Sequence, residues 1–122
     1  MEERKLGLVE ARFADLIWQN EPITTKELVA LCEKELNWKR TTTYTVLKKL
    51  CERGIFCTEN STVTSLVSKN EFYAIQSEKF VDETFAGSLP AFLAAFTTRK
   101  KPTADELEEI RRMIDAFGEG KR

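Results

Sequence analysis

Between Lys39 and Arg53 the chain sets four threonines, Thr41, Thr42, Thr43 and Thr45, among five cations, Lys39, Arg40, Lys48, Lys49 and Arg53, with Glu52 as the single acid. A threonine hydroxyl can bond a base edge or a phosphate, and its methyl can pack on the methyl of thymine. Lysine and arginine neutralise phosphates, which fixes register and makes affinity depend on salt. This combination suits a surface that reads nucleic acid. A solvated helix face would carry the same charges, so the placement of the residues on their element has to decide.

Other chemistry finds little support. The chain has no histidine, so the usual base near neutral pH is missing. Its five glycines, Gly7, Gly54, Gly87, Gly118 and Gly120, fall at expected element ends and form no phosphate loop. The three cysteines, Cys32, Cys51 and Cys57, make neither C-x-x-C nor C-x-C. They are expected to be reduced thiols, and no metal or other cofactor is expected. Asp105, Glu106, Glu108 and Glu109 cluster at an expected helix start, where they favour the macrodipole and face water. No enzymatic activity is expected.

The chain has 122 residues, enough for one ordinary domain or a small domain with an appendage. Hydrophobic residues make up 42% and charged residues 32%, a globular composition. Net charge is −1, so the basic stretch is a local feature against a net-negative remainder. The start, Met-Glu-Glu-Arg-Lys, lacks an apolar signal core, and no apolar run reaches the ~20 residues that span a bilayer. A cytoplasmic protein without membrane insertion is expected.

The elements that would position the polar stretch can be read from periodicity and caps. A first helix is expected over 7–20, with Val9, Phe13, Leu16 and Ile17 on one stripe, Trp18 as an anchor, and Asn20-Glu21-Pro22 as its stop. Ile23-Thr24 suits a very short extended piece. Thr24 and Glu27 make a capping box for a second helix with Leu28, Leu31, Cys32 and Leu36 inward, and Asn37 stands where a left-handed cap belongs. The third helix is expected over 39–53, stopped by Gly54. It turns Thr43, Leu47, Leu50 and Cys51 inward, and Thr41, Thr45, Lys48, Lys49 and Glu52 outward. Two β-rich runs, 55–59 and 62–67, flank Asn60-Ser61 and read as a hairpin. Helix, helix, helix, hairpin is the order of a winged helix-turn-helix, with Ser61 and Thr62 at the tip as candidate contacts to flanking backbone.

Beyond residue 67 the pattern is helical. Ser68 and Glu71 cap a fourth helix carrying Phe72, Tyr73, Phe80, Val81 and Phe85, which Ala86-Gly87 ends. A fifth carries Leu89, Phe92, Leu93 and Phe96, with Pro90 in its first turn. Arg99-Lys100-Lys101-Pro102 is a linker. Thr103 and Glu106 start a last helix with Leu107, Ile110, Ile114 and Phe117 on one stripe, ending at Gly118. These helices have too little mass to enclose that apolar surface, and a homodimer is the expected solution. Folding back on the N-terminal half is the alternative. The fold expected is mainly α with a small β-hairpin: a winged helix over 1–67 and a helical dimerisation region over 68–122.

The run Trp38-Lys39-Arg40-Thr41-Thr42-Thr43-Tyr44-Thr45-Val46-Leu47-Lys48-Lys49-Leu50, with Gly54 after it, resembles the recognition-helix signature of the penicillinase repressor family. Glu10, Trp18 and Pro22-Ile23-Thr24 fit that family's first helix and its exit. Leu66-Val67-Ser68, Phe80 and Phe85-Ala86-Gly87-Ser88-Leu89 resemble the start of its dimerisation region. The resemblance implies a homodimer that binds double-stranded DNA at a palindromic operator and represses transcription. It also brings in a membrane sensor protease, which in the best-known members triggers cleavage between an asparagine and a phenylalanine. Phe96 stands at that phenylalanine with Ala95 before it, which speaks against the same route here. Copper-responsive relatives use paired cysteines near the C-terminus, and this tail has none. A winged-helix module that binds proteins instead of DNA is the alternative function.

Overall fold

The computed structural model describes residues 6–120. Its elements run α1 (Leu8–Asn20), β1 (Ile23–Thr24), α2 (Thr25–Leu36), α3 (Arg40–Glu52), β2 (Phe56–Glu59), β3 (Thr62–Ser65), α4 (Lys69–Phe85), α5 (Leu89–Arg99) and α6 (Ala104–Gly120). The chain divides into two compact units, one ending at Ser77 and the other beginning at Glu78.

Local signals set the first unit's boundaries. Thr24 Oγ1 accepts from the Glu27 amide and Glu27 Oε1 accepts from the Thr24 amide, both at 3.1 Å, so the expected capping box starts α2. Asn37 closes α2 with φ 58°, the left-handed geometry that asparagine tolerates better than most residues. Gly54, at φ 82°, lets the chain leave α3 and turn directly into the sheet.

The hairpin is part of a three-stranded antiparallel sheet in the order β1-β3-β2. β1 pairs Ile23 with Val63 and Thr24 with Thr62, while Phe56 on β2 faces Ser65 on β3. The two-residue piece after α1 is therefore a true edge strand. Glu21, just before β1, extends this pairing: its carboxylate accepts from the Ser65 amide at 2.7 Å and the Ser65 hydroxyl at 2.8 Å.

The core joins one face of each helix to the inner face of the sheet: Phe13, Ala14 and Ile17 from α1, Leu28 and Cys32 from α2, Leu47 and Leu50 from α3, and Ile55, Phe56 and Val63 from the hairpin. Val9 departs from expectation. It is 52% exposed, because the buried stripe of α1 begins a turn later at Phe13. Trp38 stacks on Phe13 at 5.2 Å between centroids. Trp18 donates its indole N–H to the Val67 carbonyl at 3.0 Å and meets the rings of Phe56, Phe72 and Tyr73. The first turns of α4 thus belong to the first unit, with Phe72 buried.

The second unit is built on phenylalanine. Phe80, Phe85 and Phe92 form a triangle of edge-on contacts with centroids 5.7–6.2 Å apart, and Phe96 extends it. Ser88 caps α5 through the Ala91 amide at 3.0 Å. Thr103 and Glu106 form the reciprocal box that starts α6. α6 continues through Gly118 to Gly120, beyond the expected stop at Gly118; a glycine in a helix costs only about 1 kcal/mol relative to alanine.

Candidate nucleic-acid interface

The helical pitch of α3 separates its residues into two sides. Thr43, Leu47 and Leu50 point into the core. Thr43 is 1% exposed, and its hydroxyl donates to the Lys39 carbonyl at 3.3 Å, so the one buried threonine of the run is satisfied. Thr41, Thr42, Thr45, Lys48 and Lys49 are exposed, as are Lys39 and Arg40 at the start of the helix. Thr41, Thr45 and Lys48 lie roughly opposite the core-facing line. Lys39, the N-cap of α3, makes no side-chain capping hydrogen bond, and the first amides of a helix suit an acceptor such as phosphate.

Lys49 occupies the flank of this face. Its Nζ lies 2.9 Å from Glu10 Oε2 on α1, and Arg53 Nη1 lies 3.7 Å from Glu10 Oε1. Glu10 Oε1 also accepts from the Gly7 amide at 3.1 Å, which closes the first turn of α1. The Lys49 hydrogen bond holds the Glu10 carboxyl below its ordinary pKa, overcoming the upward push of burial. Two of the five cations in the basic stretch therefore face an acid of their own protein. Lys39, Arg40 and Lys48 supply the positive charge on the outer surface.

The wing is short. Asn60 and Ser61 have φ 52° and 58°, the pair of left-handed residues that makes the tightest hairpin turn. The Ser61 carbonyl accepts from the Thr25 amide at 2.9 Å, which ties the tip to the start of α2. Ser61 is exposed; Thr62 is half-buried, paired with both neighbouring strands, and its hydroxyl turns back to the Asn60 carbonyl at 3.3 Å.

The folded surface contains residues that the sequence pattern did not single out. Tyr44, Leu47, Lys48 and Cys51 of α3 enclose with Thr25 and Thr58 a recess of about 310 Å³. The Arg40 guanidinium lies over the Tyr44 ring, 5.6 Å from its centroid. Spacing could have found Tyr44, which stands four residues after Arg40 and four before Lys48. Thr25 and Thr58 reach the site only through the packing of α2 and β2 against α3, and no local pattern announces that.

The cysteines are free. Cys32 is buried, which raises its pKa against a hydrogen bond with Thr43. Cys51 is half-buried and its pKa is also raised, chiefly by burial, with Thr58 Oγ1 3.6 Å from its sulfur. Among the described residues no group of three or more histidine, cysteine or acidic side chains could hold a metal. No helix there is long and apolar enough to cross a membrane.

In the second unit Phe85 and Phe92 are half-buried within the ring cluster. Phe80, Leu89, Leu93 and Phe96 are 41–57% exposed, and Leu107, Ile110, Ile114 and Phe117 are 37–69% exposed along one stripe of α6. Met113, 51% exposed, adds to that stripe and was not anticipated.

Three helices closed by a small sheet, with a polar and basic outer face on the third, define a winged helix-turn-helix protein of the DNA-binding class. Residues 6–116 match the penicillinase repressor family, and the chain belongs to it. No curated protein matches the chain. The family is one of DNA-binding transcriptional repressors, and the chain is a regulator of that kind.

Proposed function

We propose that the protein acts in the cytoplasm as a homodimer that represses transcription from a palindromic operator, each subunit laying α3 in the major groove of one half-site. The observation that carries this reading is the division of α3 into a core-facing line, Thr43, Leu47 and Leu50, and an outer face of Thr41, Thr45 and Lys48 with Arg40 and Thr42 at the leading end. That end normally contacts base edges. In this reading Thr41, Thr42 and Thr45 touch bases, and Lys39 and Lys48 hold phosphates. A phosphate contact from Lys49 is weakened by the Glu10 carboxylate beside it. Ser61 and Thr62 contribute little, because the tip is uncharged and the Thr62 hydroxyl is already engaged.

Dimerisation is supported by the exposed apolar side chains of the second unit. Exposed apolar side chains on one stripe are costly in water and favour an interface, and a symmetric pair would bury the same stripe from both subunits. A sensor protease fits poorly as the releasing partner. Ala95–Phe96 lies in the middle of α5, whose backbone is engaged in helical hydrogen bonds, and alanine replaces the expected asparagine.

The test is footprinting of the purified protein on the DNA upstream of its own gene. Two protected half-sites about one helical turn apart support the reading. Absence of protection at low salt overturns it.

A further inference from the structure

We propose that Arg40 reads a guanine in each operator half-site and that Tyr44 is the residue positioning it. This inference rests on the repressor reading and adds a specific base contact to it.

Arg40 opens α3, at the end of a recognition helix that reaches the base edges. Arginine is the commonest reader of guanine, because its planar fork matches the O6 and N7 acceptors bidentately. An arginine at a helix start is flexible, and that geometry has to be selected from many rotamers. Here the guanidinium already lies over the Tyr44 ring, 5.6 Å from the centroid. The attraction between the cation and the negative face of the ring holds the guanidinium beside Tyr44 and reduces the rotamers it samples. Tyr44 is itself 37% exposed and forms one wall of the recess with Thr25, Leu47, Lys48, Cys51 and Thr58.

Lys48, one turn beyond Tyr44, supplies a point charge for phosphate, which leaves the Arg40 fork for a base edge. Tyr44 acts through Arg40 and is a positioning residue; Arg40 makes the contact.

Base preference in duplexes selected from a randomised pool provides the test, with the wild type compared with Arg40→Ala, Tyr44→Leu and Tyr44→Phe. Circular dichroism confirms that each variant is folded. The leucine variant keeps apolar bulk without an aromatic face, and the phenylalanine variant keeps the ring without the hydroxyl. Arg40→Ala and Tyr44→Leu are expected to flatten preference at the same guanine, by roughly fivefold to a hundredfold, with Tyr44→Phe like the wild type. Guanine preference that survives Tyr44→Leu, or that Arg40→Ala leaves intact, overturns the proposal. A wild type that selects no sequence overturns the repressor reading and this proposal with it; a wild type that selects an operator unaffected by either variant overturns this proposal alone.

Discussion

The Lys49 ammonium stands 2.9 Å from the Glu10 carboxylate, and Arg53 approaches the same carboxylate from the next turn of α3. The contact fastens α1 to α3 and also holds a cation of the candidate DNA surface against an internal acid. Glu10 is 20% exposed and Lys49 58%, so the pair is partly screened and its share of stability is modest. Its electrostatic consequence for DNA is larger, since a phosphate must compete with Glu10 for Lys49.

Glu10→Gln is expected to raise non-specific DNA affinity and to steepen the salt dependence by about one phosphate, a change of ~0.9 in the slope of log K against log salt. The amide can still accept from the Gly7 N–H. Titration of labelled random duplex at several salt concentrations measures it; an unchanged slope means that Lys49 does not reach phosphate even when released.

The same residue has a pH signature in stability. Glu10's pKa is lowered in the folded state, first by the Lys49 hydrogen bond, so the ionised carboxylate favours folding. This contribution is present above the unfolded pKa and is lost as pH falls through the lowered folded value. Wild type is expected to exceed Glu10→Gln by about 1 kcal/mol or less at neutral pH, with the gap closing in acid. Urea melts at pH 7 and across the acid range check both points.

Thr45→Ala and Lys48→Ala are expected to fail differently. Loss of the Thr45 hydroxyl and methyl reduces the ratio of operator to random-DNA affinity, on the order of tenfold. Loss of the Lys48 charge weakens both and flattens the salt slope by about one unit. Competition binding at two salt concentrations separates them, and equal losses of discrimination for both variants would show that the division between base and phosphate contacts is wrong.

Ser61→Gly tests the wing. Ser61 holds φ 58°, where glycine carries no steric penalty, so the substitution is expected to stabilise the fold by about 0.5–1 kcal/mol. Operator affinity is expected to change less than twofold. A large loss of affinity in the stabilised protein would assign the Ser61 hydroxyl a direct DNA contact.

Ile114→Glu combined with Phe117→Glu places two charges on the exposed stripe of α6. Self-association is expected to drop to monomer in sedimentation at micromolar concentration, while the helix content is kept. An unchanged dimer would move the interface elsewhere on the second unit.

Much of this architecture was legible in local chemistry. Thr24 with Glu27, Asn37, Gly54 and Thr103 with Glu106 each announce a boundary within a few residues, and the structure places helix ends there. The alternation of Thr43, Leu47 and Leu50 with Thr41, Thr45 and Lys48 was equally visible, because helical periodicity is a local property. What escaped depends on contacts distant in sequence. Val9 lies in register with the apolar stripe, yet it is 52% exposed, and the buried stripe of α1 starts only at Phe13. Glu10 and Lys49 are 39 positions apart, and no period links them. Thr25 and Thr58 join the recess beside Tyr44 only because β2 and the start of α2 flank α3. Gly118 resembled a stop, but helix continuation outweighs one residue's propensity.

The most direct test of DNA reading by the outer face of α3 is affinity for the protein's own upstream region at low salt, measured by fluorescence anisotropy for wild type and for Thr41→Ala/Thr45→Ala. Binding at least a hundredfold tighter than to random duplex, reduced toward the random-duplex value by the double substitution, is the expected result. Equal wild-type affinity for the two duplexes, or a preference that the double substitution leaves untouched, contradicts it.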